Sequence, residues 1–392
     1  MFTDIVKPTS PVKFISSSEQ RREVFQRLGA ALERIPGFKP LRSDRALPSE
    51  GGPAGWFEFQ VGKRHHRLQF VVLPAGYPKR VHTVMEELQA NPLPGQTPDT
   101  YTVLVASWFS PETVTLCAER GYGTLDFSGN YRLHFGHVFL ERVGAPPPAS
   151  EQRQAASVFA PKSARILRAL LAVPEHTWKV TELTSVTGVS AGLVSRVRQQ
   201  LLERQWVEEV PGGIRLLAPE PLLSAWAEQG KDVEARLYRG YTLLHGQALG
   251  ARLLRVMQRP NAGEQVIAAG VSAAQWMAPF LRESREQFYV TEKGFDLVRD
   301  ELDLESQATG ENIVLRVVEE PEVFFDRVQP SPLSWTTSPV QTYLDLRREG
   351  ERGEEAAEHL RQKYLLPLIH GEIPAPVSPL RERLEALQRR RA

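Results

Sequence analysis

Between Val180 and Trp206 the chain reads VTELTSVTGVSAGLVSRVRQQLLERQW. Apolar residues recur at helical spacing on both sides of a short break, TGVS. That pattern restricts the local fold to a short helix, a tight turn and a longer helix. Leu183 and Val186 give the first helix, spanning 180–187, its buried side. Gly188 accepts the left-handed backbone that ends such a helix, and Ser190 is a good N-cap for the next. On that next helix Leu193, Val194, Val197 and Leu201 form one stripe. At about 100° per residue, the opposite surface carries Gly192, Ser195, Gln199 and Glu203, with Ala191, Arg196 and Arg198 on its shoulders.

The flanks extend the unit. PKSARILRALLAV (161–173) places Ile166, Leu167, Leu170 and Leu171 on one helical face, and Pro161 suits its first position. WVEEVPGGIRLL (206–217) predicts two strands joined by a Pro-Gly-Gly turn, with Arg215 on the return strand. Three helices followed by a hairpin are the element order of a winged helix-turn-helix. Small, polar residues on the outer face of the third helix let it approach a major groove closely. The expected base-facing residues are Ser190, Ala191, Gly192, Ser195 and Gln199. Lys179, Arg196, Arg198 and Arg215 are expected to face phosphates or the minor groove beside the wing. Over 161–217 eight basic residues meet five acidic ones, a surplus of three. Glu208 and Glu209, beside the wing, oppose that field, and a protein-docking scaffold is the competing reading.

The 392 residues carry a formal net charge of only +1. The balance excludes a bulk basic nucleic-acid binder, so any DNA-binding face must be local. The length predicts more than one domain, because single cores stop growing near about 250–300 residues. The lone cysteine, Cys117, rules out an internal disulfide and a Cys-based zinc site, and suits a reducing cytoplasm. The first residues, MFTDIVKPTSPVKF, lack the pattern of a signal peptide, and no apolar run is long enough for a membrane helix.

Before residue 145 the pattern is helix (17–35), a Pro/Gly/Ser-rich loop through Gly55, a hairpin, helix (78–90), strand (101–107), helix from Ser110, and short strands. Helices packed on a mixed sheet are the expected result. GAPPPASEQRQAAS (144–157) is the expected linker. After about residue 230 strand and helix signals alternate again, and 338–365 predicts two helices broken at Gly350 to Gly353.

Most catalytic candidates fail on residue type or spacing. A metal-dependent nuclease needs converging carboxylates, commonly an Asp and then a Glu-x-Lys on adjacent strands. Glu58 and Asp126 are the available acids, but the second long strand has Val71, Val72 and Leu73 where such a Glu-x-Lys would sit. Asp126 fits a turn or strand end better. His65, His66, His82, His134 and His137 share no ligand spacing. AAGVSAAQW (268–276) resembles the glycine turn of nucleotidyltransferase folds, yet Asp296, Asp300 and Asp303 do not alternate along a strand. Trp56, Phe57 and Phe59 are candidates to stack single-stranded bases, against packing between hairpin and helix, and the basic tail Arg389 to Arg391 is a candidate phosphate contact. No cofactor and no metal are expected.

Three stretches resemble the AbiEi-type family of viral-defence transcriptional regulators and type IV toxin–antitoxin antitoxins. VASWFSPETVTLCAERGYGTLDFSGNYRL is similar to its strand-helix-strand ending in a Leu-Asp-x-x-Gly-Asn segment, here Leu125, Asp126, Gly129 and Asn130. The helical module resembles its winged helix, and SPVQTYLDLRREGERGEEAAEHLRQ a C-terminal signature of long members. The resemblance implies a multidomain α/β chain: a restriction-endonuclease-like α/β domain at 1–145, inactive here, a linker at 146–160, a winged helix-turn-helix at 161–230, and a nucleotidyltransferase-like α/β domain at 231–392. It implies a cytoplasmic, antitoxin-like regulator that binds double-stranded DNA sequence-specifically and catalyses nothing. Single-stranded DNA and a homodimer stay open as further partners. A nucleic-acid-processing enzyme or a scaffold in a defence or repair system is the alternative.

Overall fold

The computed structural model describes residues 18–44, 55–93, 97, 99–230, 232–281, 285–306, 310–319, 321–332 and 334–390. The readings of the first residues, of position 17 at the start of the first helix and of Arg391 lie outside the described residues. The chain divides into two compact units: one runs to Gln154 and also takes in Glu203–Gln205, and the other comprises Ala155–Leu202 and the chain from Trp206.

The first unit runs α1 (Ser18–Leu32), β1 (Phe38–Asp44), β2 (Gly55–Val61), β3 (Arg64–Val72), α2 (Pro78–Ala90), β4 (Thr100–Ala106), α3 (Pro111–Glu119), β5 (Gly123–Asp126), β6 (Tyr131–Phe135) and β7 (Val138–Arg142). Its seven strands lie in sequence order in one sheet. The β3–β4–β5 centre is parallel and both flanks are antiparallel. Because strand side chains alternate, β3 feeds two cores. Leu68, Phe70 and Val72 meet Val24, Leu28 and Leu32 of α1. Val71 and Leu73 meet Val81, Val84 and Met85 of α2 and Cys117 of α3. A strand buried on both faces is therefore apolar throughout, as LQFVVL is apart from Gln69. Gln69 satisfies its amide on the Thr102 hydroxyl at 2.9 Å.

Two expectations are corrected here. The stretch before Gly55 is not all loop: Phe38–Asp44 forms β1. It is an edge strand, and its register shifts between Pro40 and Arg42. Proline lacks the ladder donor and is tolerated at such a bulged edge, so composition hid the strand. The expected linker also contains a helix, α4 (Ala149–Val158). Past the proline run its Glu, Gln, Arg and Ala are good helix formers. The division between the two units falls inside it.

The second unit begins with α5 (Pro161–Ala172), α6 (Val180–Thr187), α7 (Ala191–Glu203), β8 (Val207–Val210), β9 (Gly213–Leu216) and α8 (Pro219–Gln229). It continues with β10 (Arg236–Tyr241), α9 (Gly246–Met257), β11 (Val266–Ala268), α10 (Gly270–Ala274), β12 (Glu286–Val290), α11 (Glu292–Leu302), β13 (Glu305–Ser306) and β14 (Ile313–Val317). It ends with β15 (Val328–Ser331), β16 (Ser334–Thr336), α12 (Pro339–Leu346), α13 (Gly350–Leu360), α14 (Leu366–Ile369) and α15 (Pro379–Arg389). The larger sheet has the order β13-β10-β14-β12-β11-β16-β15 and is mixed. Leu249 and Val256 of α9 and Val298 and Leu302 of α11 cover one face.

Ile267 and Tyr289 point to the opposite face with Val323 and Phe324. A separate apolar core joins Ile166, Leu170, Leu183, Val194, Val197 and Ile214 to Val340, Leu344, Leu360 and Leu380. The helical module and the C-terminal helices thus share one apolar interior. The expected break near Gly350 to Gly353 is also shifted. Gly350 opens α13 at φ 77, and Gly353 lies within that helix. A Cβ at Gly353 would stand 2.4 Å from the Leu346 carbonyl oxygen, so this glycine serves close helix packing rather than a break.

Candidate nucleic-acid interface

Helix α6 starts at Lys179, whose backbone N–H donates to the Glu182 carboxylate at 3.2 Å. It ends at Gly188, which turns left-handed at φ 68. From α5, the Arg165 guanidinium donates to the Thr187 carbonyl at 3.2 Å and pairs with Glu322. A cation at this helix end offsets the exposed carbonyl dipoles. Val189 is buried and anchors the turn. The Val194 N–H then donates to the Ser190 carbonyl at 3.0 Å as α7 begins.

Helix α7 buries Val194, Val197, Gln200, Leu201 and Leu202. Leu193 is only half-buried and packs at the margin of the core. Ser190, Ala191, Gly192, Ser195, Arg196 and Gln199 are all exposed and share one side. Nothing lies within 4 Å of a Cβ placed on Gly192, so the backbone there is open. Lys179 is exposed at the start of α6.

The β8–β9 hairpin turns through Gly212 at φ 97. Trp178 adds a third rung to this sheet by exchanging backbone hydrogen bonds with Ile214 at 2.8 and 3.0 Å. A Cβ on Gly213 would lie 2.2 Å from the Trp178 carbonyl oxygen, so the rung requires glycine there. Opposite residues Glu208 and Arg215 form an ion pair at 2.7 Å across the hairpin. Arg198 of α7 pairs with Glu209 of β8.

The arrangement brings the small, polar residues together and changes the reading of the cations. Of the eight basic residues counted over 161–217, Arg165 and Arg168 turn inward onto Glu322 and Asp326. Arg204 is buried, and Arg198 and Arg215 are engaged by the hairpin acids. Lys162, Lys179 and Arg196 stay exposed with no carboxylate within 4 Å among the described residues. The proximity of Glu208 and Glu209 was visible in the sequence, but which arginine each would meet was not. The burial of Gln200 broke the expected stripe and carried no signal.

The catalytic candidates do not converge. Glu58 pairs with Arg67 at 3.6 Å. Asp126 is buried and accepts from the Gly129 and Asn130 N–H groups at 2.8 and 2.9 Å and from the Asn130 amide at 2.9 Å. Burial pushes its carboxyl above the usual range, and these hydrogen bonds pull it back. The Asn130 side chain bridges onward to the Ala145 backbone at 2.8 and 3.0 Å. Leu-Asp-x-x-Gly-Asn is therefore a structural clasp. Val71 and Leu73 are core.

After the Gly270 turn, Gln287 and Tyr289 occupy alternating positions on β12, and neither is an acid. The Arg316 guanidinium fills the space between Gln287 and Glu349 at 2.9 and 3.2 Å. Asp296 and Asp300 pair with Arg299 on α11, and Asp303 caps that helix. No three His, Cys, Asp or Glu side chains among the described residues are arranged to hold a metal ion. His66 stacks on Phe59 at 5.5 Å while His65 is exposed. Phe57 and Phe59 pack on Phe25 and Phe38, and Trp56 lies under the Arg67 guanidinium, so these rings serve the unit's own packing. Among the described residues no helix is long and apolar enough to cross a membrane.

The described residues form a mixed α/β protein with two seven-stranded sheets, a two-stranded hairpin and an exposed outer side of α7. Residues 215–366 match the family model described as transcriptional regulator, AbiEi antitoxin, of type IV toxin–antitoxin systems. The AbiEi resemblance read from the sequence thus holds over this segment, which opens on the second hairpin strand and leaves α5 to α7 outside it. No curated protein and no solved structure matches the chain.

Proposed function

We propose that the chain is a sequence-specific double-stranded DNA-binding transcriptional regulator, antitoxin-like and without catalysis. Residues 161–217 act as a winged helix-turn-helix. Helix α7 enters a major groove and presents Ser190, Ala191, Gly192, Ser195 and Gln199 to base edges. Arg196 and Lys179 meet phosphates first. Arg198 and Arg215 join them by exchanging Glu209 and Glu208 for phosphate oxygens. The observation that carries this reading is the exposed small-residue side of α7 between the Gly188 turn and the glycine hairpin. The family match supports the regulatory role.

The first unit's α-β-β-β-α-β order supports an endonuclease-like ancestry with its metal positions converted to core. The β11–Gly270–β12 geometry supports a nucleotidyltransferase-like ancestry with Arg316 where a cation would be held. Both domains then serve as partner surfaces, in a cytoplasmic protein that needs no cofactor. Selection of bound fragments from random duplex DNA tests the proposal. A shared motif is expected, and a palindrome would add a homodimer. Recovery of no motif, together with unchanged gel-shift affinity in Arg196→Ala, refutes it.

A further inference from the structure

We infer that the first unit holds a phosphate-sized oxyanion between α1 and the turn and hairpin that follow β5. Arg27, Ala30, Ala31 and Arg34 recur at three- and four-residue spacing along α1 and the turn after it, so they share one side. Leu125, Gly129, Tyr131 and Arg142 face them across a cavity of about 120 Å³. Tyr131 and Arg142 are opposite partners in the β6–β7 ladder and point to the same face of the sheet. Arg34 donates to the Tyr131 hydroxyl at 3.4 Å. Gly129, at φ 103, carries no side chain into the space, and a Cβ there would stand 3.5 Å from the Arg27 guanidinium.

The walls contain three guanidiniums and no carboxylate. Arg27 is answered by Glu23 at 2.7 Å from outside the cavity. No carboxylate lies within 4 Å of the Arg34 or Arg142 guanidinium among the described residues. Asp126 is committed to the backbone of its own turn, and Glu141 pairs with Arg132 at 3.5 Å. Two guanidinium forks with no carboxylate partner, beside the small Ala30 and Ala31, offer paired N–H donors to a tetrahedral oxyanion. At about 30 Å³ per water the space equals a few waters, enough for one phosphate. The ligand is thus a phosphoryl group, either a backbone diester of nucleic acid or free phosphate.

The inference does not depend on how α7 docks. It is tested on the full chain with inorganic phosphate as the probe and with random-sequence duplex DNA at several salt concentrations. The variants are Arg34→Gln/Arg142→Gln and, separately, Ala30→Asp. The second places a carboxylate among the guanidiniums from an exposed helix position and leaves the core intact. Phosphate is expected to raise the melting temperature of the wild-type chain saturably and to leave both variants unmoved. If the source is a nucleic-acid backbone, the slope of log affinity against log salt also becomes shallower by about one in both variants. Loss of the phosphate response with an unchanged slope assigns the site to the free anion. An identical phosphate response in wild type and Ala30→Asp, with identical slopes, overturns the inference.

Discussion

Arg168 of α5 sets one guanidinium nitrogen 3.0 Å from each carboxylate oxygen of Asp326, in a site where the two side chains are 7% and 2% exposed. Its other terminal nitrogen donates to Gln341 of α12, and the guanidinium lies 5.4 Å from the Trp226 ring. This one residue ties the first helix of the proposed DNA-binding module to the turn before β15 and to α12. Removing one member of such a pair strands a buried charge and costs about 3–5 kcal/mol, whereas an apolar pair of similar volume is often neutral. Arg168→Ala is therefore expected to lower the urea midpoint sharply, and Arg168→Met/Asp326→Leu to recover most of it. Equal losses in the single and double variants would show that the pair's charge is not what the fold depends on.

The hairpin acids bear directly on DNA affinity. Glu208 and Glu209 hold Arg215 and Arg198 at exposed ion pairs worth no more than about 1 kcal/mol each to stability. Phosphates compete for the same guanidiniums, and each phosphate neutralised adds about 0.9 to the salt slope. Glu208→Gln/Glu209→Gln is expected to leave the melting temperature nearly unchanged and to tighten binding to random duplex severalfold in low-salt gel shifts. Weaker binding in this variant would mean that the acids position the arginines for contact.

Cys117 lies on the buried face of α3, in one core with Leu104 and Ala106 of β4, and has no exposed surface. Burial pushes its thiol up to about 12. The thiolate is the reactive form, so at pH 8 the native chain should react with a thiol reagent only as fast as it opens. Rapid labelling of the folded chain, compared with urea-unfolded protein, would contradict the packing described for that face.

Local chemistry made much of the fold legible. Pro78 and Pro161 at first helical positions, Ser110 at an N-cap and Gly188 at a left-handed stop place α2, α5, α3 and α6 to within a residue or two, since each encodes a backbone requirement. The outward side of α7 follows equally from its period. What sequence cannot supply is the partner of a distant charge. Arg165 and Arg168 count toward a basic surface when read along the chain, yet Glu322 and Asp326, more than 150 residues away, draw them inward. Strand β1 stays hidden for a different reason. An exposed edge strand needs no apolar alternation, and Lys39, Pro40, Arg42 and Ser43 show none. The oxyanion cavity escapes because its three arginines come from α1, the turn after it and β7, and only the sheet brings them together.

Two glycines of the candidate interface separate folding from binding. A methyl at Gly213 would press on the Trp178 carbonyl at 2.2 Å, where the rung to Ile214 leaves the backbone no room to retreat. Gly213→Ala is expected to cost about 1–3 kcal/mol, as overpacking does, and to loosen the hairpin. Gly192 sits in the first turn of α7 with open space around it. Alanine there has the higher helix propensity and should leave stability unchanged or raise it by up to about 1 kcal/mol. If α7 reads a major groove, that methyl stands between backbone and base edges, so Gly192→Ala should weaken specific binding at unchanged or higher melting temperature. Intact affinity for the selected motif in Gly192→Ala would place this end of the helix away from the bases.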